Sequence, residues 1–191
     1  RRAVTDISIS KHGVLLRSKR VINDENGELA DEPLTFLPYD YVILAIPPSV
    51  WPGVKISADG KNASPEKEIG SMGMGPAVKF FSDLKERFWI KEKAAPYGGS
   101  LTLGQVWEGT DNQTRVGKQG IVLSVFAGPI ITDAHGPRVP TQAEIEKGLR
   151  RLYPGYTDNL NKKPLFSNWP NVPFIKTGYA SPRKGEIFTI G

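Results

Sequence analysis

Apolar and polar positions alternate from the first residues. Val4-Thr5-Asp6-Ile7-Ser8-Ile9 has the period of two that places one side of a strand inward. Gly13-Val14-Leu15-Leu16-Arg17 follows the turn signal Lys11-His12-Gly13, so the pair predicts a hairpin. A looser third element runs through Val21-Ile22 to the turn-rich Asn23-Asp24-Glu25-Asn26-Gly27. Tyr39-Asp40-Tyr41-Val42-Ile43-Leu44-Ala45-Ile46 is a nearly unbroken apolar run, the pattern of a strand covered on both faces. It stops at Pro47-Pro48, which cannot donate to a sheet ladder and push the residues before them to extended backbone.

The Pro, Gly, Asp and Asn content from Trp51 to Asn62 predicts a connection. A short helix is predicted from Ser64, with Pro65 at its first position and Glu66 and Glu68 in the first turn, ending among Gly70, Gly73 and Gly75. Strands are predicted at Ala77–Ser82, with Trp89 closing the following turn, at Ser100–Leu103 running on through Val106-Trp107, and at Gly120–Ala127. Thr141 with Glu144 forms a capping box, and Ile145, Leu149 and Leu152 share one helical face, so a helix over 141–153 ends at Pro154-Gly155. The pattern as a whole predicts an α+β fold: a mixed β-sheet domain with flanking helices, joined to a small antiparallel portion.

Composition adds mainly exclusions. With 39% hydrophobic and 24% charged residues, the 191-residue chain can bury a core. The net charge of +5 is spread over single Lys and Arg residues, without the clustered cations and interleaved aromatics of a nucleic-acid surface. No apolar run approaches a membrane-spanning length. Cysteine is absent, and the two histidines, His12 and His135, lack the company of a metal or triad site, so no metal is expected. Sequons at Asn62 and Asn112 are short matches of little weight. Arg1 in place of an initiating Met, and a strand-like pattern up to Gly191, predict a piece of a longer chain.

Four segments in order resemble the flavin-containing amine oxidases, the family of monoamine, polyamine and L-amino-acid oxidases. They are Val4-Thr5-x-Ile7 with Tyr41–Pro48; Gly75-Pro76-Ala77-Val78-Lys79-Phe80 with Arg87-Phe88-Trp89; the capped helix ending in Leu152-Tyr153-Pro154-Gly155; and Asn168-Trp169 with Gly178-Tyr179. Each is weak alone, and their order and spacing carry the resemblance. It implies a partial FAD-binding domain over 1–52, a substrate-binding domain over 53–180 and a strand returning to the FAD domain over 181–191.

The resemblance also implies roles. Lys79 matches the lysine that holds a water near the flavin's reactive nitrogen, and Val78 and Phe80 beside it suggest partial desolvation of its ammonium. Trp169 and Tyr179 would line the cavity for an amine or amino acid, with Trp169 also near the flavin. Val4 would contact the adenine end through its backbone, and Ala45, Ile46, Pro47 and Gly178 would lie along the cofactor. Gly178 stands where some relatives carry a tethering cysteine, so FAD would be held non-covalently.

The dinucleotide fingerprint Gly-x-Gly-x-x-Gly does not occur in the sequence. The chain alone is therefore expected to hold FAD poorly and to be inactive, its partners being the remainder of the FAD domain and a small-molecule amine or amino acid. Self-association is left open. So are a scaffold protein that kept the fold without the chemistry and a related flavin desaturase. The segment Gly104–Asp111 carries acids that could meet a substrate amine or sit in an exposed loop.

Overall fold

The computed structural model describes residues 1–59, 61–62, 69–110 and 121–186. They pack as two compact units, Arg1–Gly75 with Trp169–Gly191, and Pro76–Asn168. These units are defined by packing, whereas the 1–52, 53–180 and 181–191 division expected from the sequence is one of role. The helix expected from Ser64, the two sequons and the return strand after residue 186 fall wholly or largely outside the described residues.

The first unit begins with β1 (Arg2–Ser10) and β2 (Gly13–Asn23), the expected antiparallel hairpin. Gly13 sits at φ 120, and a Cβ there would strike the Tyr39 carbonyl, so the tight turn depends on glycine. The strand β2 is one long element that absorbs Val21-Ile22, and both β3 (Glu28–Leu29) and β4 (Thr35–Tyr39) pair with it antiparallel. A single-turn helix at Pro48–Gly53 leads to β5 (Lys55–Ala58), which lies parallel to β1, and β6 (Lys61–Asn62) folds back on β5. Ile7, Val14, Val54 and Ile56 make a small core beneath this sheet. The strand β7 (Met74–Gly75) closes this part of the unit.

Two strand expectations fail: Leu101–Leu103 make a turn between two antiparallel strands instead of continuing one strand into Val106-Trp107, and the apolar run after Tyr39 is no strand at all. Beyond Tyr39 the run to Ile46 forms no ladder, and Tyr41 and Ile43 are 88% and 90% exposed, while Val42 and Leu44 pack on the small core. A strand covered on both faces needs neighbours at its edges and above and below it. Among the described residues this segment has apolar cover on one side only.

The second unit is a five-stranded antiparallel sheet whose strands lie in the order 165–168, 78–84, 121–127, 104–108, 98–100. Its elements are β8 (Val78–Leu84), the short helix α1 (Phe88–Lys91), β9 (Gly98–Ser100), β10 (Gly104–Glu108), β11 (Ile121–Ala127), the hairpin β12 (Ile131–Asp133) and β13 (Gly136–Arg138), helix α2 (Gln142–Leu152), and β14 (Leu165–Asn168). Trp89 is buried inside α1 instead of closing a turn. Burial alternates along β8, with Val78, Phe80, Ser82 and Leu84 inward against Leu123 and Val125 of β11 and Ile145 and Leu149 of α2. The Thr141 capping box forms as expected, whereas Leu152, on the expected apolar face, stays half exposed. The only polar group on the inward face of β8, Ser82, is hydrogen-bonded at 2.8 Å to the buried Tyr156 hydroxyl, which burial pushes up in pKa.

After β14 the chain re-enters the first unit, where β15 (Tyr179–Ala180) pairs antiparallel with β7. Sheets predominate over a few short helices, an α+β architecture. No helix among the described residues is long and apolar enough to cross a membrane.

Candidate functional site

The first unit contains a cavity of about 610 Å³, within the range of small-molecule sites (~300–1,000 Å³). Its walls come from the start of β1, from Val21 and Leu29, from the segment Ile46–Val54 and from Pro173–Lys176. Val4, Ile46, Val54 and Phe174 supply apolar surface, and Arg1, Arg2 and Lys176 supply positive charge. The charges are partly balanced: Arg1 pairs with Asp24 at 2.7 Å and Arg2 with Glu32 at 3.2 Å. The Ser49 hydroxyl bonds the Ile175 carbonyl and the Trp51 indole N–H bonds the Ile46 carbonyl at 2.9 Å, so two walls of the cavity are held by side chains. Lys176 occupies left-handed backbone at φ 58, unusual for a residue with a side chain.

Backbone geometry makes Val4 distinctive. Val21 N–H donates to the Arg1 carbonyl, which makes Arg1 and Val21 a hydrogen-bonded pair. Pairs in an antiparallel ladder alternate, so Val4, opposite Ser18, belongs to a non-hydrogen-bonded pair and turns its N–H and C=O away from β2. A bulge between Val4 and Asp6 follows, and pairing with β5 begins only at Asp6. The strand edge at Val4 thus offers one donor and one acceptor side by side at the cavity wall. Of the residues expected along the cofactor, Val4 and Ile46 share this cavity; Ala45 is exposed, and it and Pro47 adjoin Ile46 in sequence without lining the cavity.

Gly178 and Tyr179 belong to a narrow ribbon in the same unit. Gly178 N–H donates to the Gly75 carbonyl at 3.0 Å and Ser181 N–H to the Gly73 carbonyl at 2.8 Å. The buried Thr177 hydroxyl also donates to the Gly75 carbonyl, at 3.3 Å. Glu186 ties down the far end, accepting from the backbone N–H groups of Gly73 and Arg183, which hold its carboxyl below the usual range. Tyr179 stands opposite Gly75 and is 46% exposed. Trp169 opens a single-turn helix, Trp169–Asn171, and is half-buried.

Lys79 lies in the second unit on β8, half-buried, on the face opposite Val78 and Phe80. The two residues expected to desolvate it therefore point away from it. Its neighbours on its own face are Phe81, two residues along, and the cross-strand partners Phe126 and Ser167.

The acid of the Gly104–Asp111 segment that falls on described residues is Glu108, and it is not in an exposed loop. It ends strand β10, is 6% exposed, and accepts from Arg87 Nε at 2.7 Å and from the Thr110 hydroxyl at 2.5 Å. Burial alone would raise its carboxyl, but the bonds from Arg87 and Thr110 and the guanidinium charge outweigh this and lower it. The pair joins the start of α1 to β10, a structural role that no local sequence pattern signals.

The profile of the family described as flavin containing amine oxidoreductase matches residues 1–187. No curated protein sequence matches. Among solved structures, a redesigned putrescine oxidase superposes with a TM-score of 0.68 at 17% identity, and wild-type putrescine oxidase bound to putrescine with 0.67 at 18%. Cyclohexylamine oxidase from Brevibacterium oxydans IH-35A gives 0.65 at 15%. Each comparison covers 98% of this chain and 39% of the other, so the chain spans well under half the length of these structures.

Proposed function

Because the chain belongs to the family of flavin-containing amine oxidoreductases, we propose that it supplies part of the cofactor cradle and of the substrate wall of an FAD-dependent enzyme that oxidises amines or L-amino acids to imines with oxygen as acceptor. The observation that carries this reading is the strand edge at Val4 beside the 610 Å³ cavity. A purine ring presents a donor and an acceptor along one edge, and an outward N–H and C=O pair is their complement. Apolar Ile46 and Val54 suit a ring face, and Arg1, Arg2 and Lys176 suit a phosphate-bearing ligand. These residues fit the adenosine end of FAD, with Ala45, Pro47 and Gly178 assigned to its length by the family pattern. The chain has no cysteine for a thioether tether at Gly178 or elsewhere, which supports a cofactor held here without a covalent bond.

FAD, when bound, supplies the two-electron oxidation of the carbon that bears the amine. This chain's own residues would bind and orient. Trp169 and Tyr179 would present aromatic surface to the amine or to the apolar part of an amino acid. Lys79 would hold a water through its ammonium beside the reacting edge. The 1–52, 53–180 and 181–191 segments would then serve as cofactor part, substrate part and return to the cofactor domain.

The test is the visible flavin spectrum of the full-length protein. Anaerobic addition of putrescine, cyclohexylamine or L-phenylalanine should bleach it, and air should restore it. Purification without flavin, together with failure to reconstitute, would sink the reading. Lys79→Met should retain flavin and slow reduction or reoxidation by about a hundredfold or more. Unchanged rates would remove Lys79 from the site.

A further inference from the structure

In the ribbon of β7 and β15, Tyr179 stands directly across from Gly75. A Cβ added to Gly75 would overlap the Cζ and Cε2 atoms of Tyr179 and lie 2.9 Å from its hydroxyl oxygen. The outer half of the tyrosine ring therefore occupies the space that any side chain at position 75 would need. Gly75 is not at positive φ, so its backbone is open to every residue type. What requires glycine here is the ring, not the turn.

The Gly75 carbonyl is also tied twice, accepting from both Gly178 N–H and the Thr177 hydroxyl. These bonds come just before Tyr179 in sequence and the Ser181 N–H to Gly73 carbonyl bond comes just after it, so together they fix the backbone from which its ring springs. The arrangement is a cross-strand aromatic covering a bare glycine, which pins both the register and the rotamer of the aromatic. Tyr179 remains 46% exposed, so a large part of its surface is still available to a ligand.

We propose that Gly75 is a positioning residue for substrate: it fixes the orientation in which the Tyr179 ring is presented to the amine. The proposal rests on the substrate-lining role given to Tyr179 under the proposed function. Alanine at 75 would move the ring and leave the ribbon's backbone bonds in place, because the atoms it meets form the far end of a side chain with two rotatable bonds. Its effect belongs in substrate binding more than in stability.

The experiment is a double-mutant cycle in the full-length enzyme, using whichever of putrescine, cyclohexylamine or L-phenylalanine it turns over, with a crystal structure of Gly75→Ala alongside. Gly75→Ala should raise KM about three- to tenfold, the size of one lost aromatic contact, with kcat within about twofold and Tm nearly unchanged. In a Tyr179→Ala background the same substitution should add nothing, since the overlap is gone. An equal effect of Gly75→Ala in both backgrounds overturns the proposal, and so does a Tyr179 ring that stays put in the Gly75→Ala crystal structure. If Tyr179→Ala leaves KM unchanged, then Tyr179 does not line the cavity and the substrate role of Gly75 falls with it. A displaced ring in the crystal would then show that this reading had failed and the steric seat had not.

Discussion

The two packing units use apolar residues in opposite ways. In the second unit β8 alternates strictly, and its inward residues meet β11 and α2 in one continuous core. In the first unit the core is four buried residues, and comparable apolar surface stays outside: Val4 and Ile46 around a cavity, Tyr41, Ile43 and Tyr179 nearly bare or half bare. The second unit spends most of its hydrophobic residues on packing against itself, with Ile90, Leu101 and Leu165 among the exceptions. The first holds many of them at edges and cavity walls, where they are available to something else. This division predicts that substitutions in the second unit are read chiefly as stability, and those in the first chiefly as binding.

The largest effect should come from the centre of the second unit. Phe80 is fully buried between β11 and α2, and Phe80→Ala should cost about 3–5 kcal/mol in urea unfolding of the full-length protein. A loss below about 1 kcal/mol would break the contrast, since the second unit would then be no better packed than the first.

Arg87→Met sharpens it with a pH signature. The substitution strands a buried carboxylate at Glu108 and should cost about 2–3 kcal/mol at neutral pH, Arg87 itself being partly exposed. In the folded protein the Glu108 carboxyl is held below its ordinary value of 4.5. Its contribution is therefore complete above the unfolded value and is lost as pH falls through the lower folded one. Without Arg87, burial raises the same carboxyl, so the variant protonates it early and loses less on acidification. The gap between parent and variant should begin to narrow above pH 4.5, as the raised carboxyl of the variant protonates, and go on narrowing below it as the parent loses its own contribution; a gap independent of pH would assign the loss to packing instead.

How much of this was legible in the sequence follows from how local each signal is. The β1–β2 hairpin and the helix α2 were, because period-two alternation, a turn glycine and the Thr141–Glu144 box are complete within a dozen residues. The exposed course of Tyr39–Ile46 was not legible, because an apolar run says that cover is needed but not that it is supplied. Of the site, Val4 and Ile46 line one cavity, and their place along a cofactor comes from the family likeness alone. The outward turn of the Val4 backbone depends on pairing parity and a bulge, neither of which leaves a sequence mark. Likewise Gly75 beneath Tyr179 and Arg87 with Glu108 are contacts across 104 and 21 positions, visible only once the sheets are formed.

Ile46→Asp tests the first unit by the opposite criterion. Ile46 lines the cavity, is 38% exposed and belongs to no strand, so a carboxylate there costs the fold little. It does place a negative charge where a phosphate-bearing cofactor is proposed to lie, and it removes apolar contact from a ring face. Flavin affinity of the full-length protein should drop about tenfold, roughly 1.4 kcal/mol, read by titrating apoprotein with FAD and following flavin fluorescence. The drop should ease at higher ionic strength if repulsion dominates, and persist if the lost apolar contact does. A variant that unfolds like Phe80→Ala while binding FAD normally would mean that Ile46 is a packing residue, and the contrast between the units would no longer hold at the cavity.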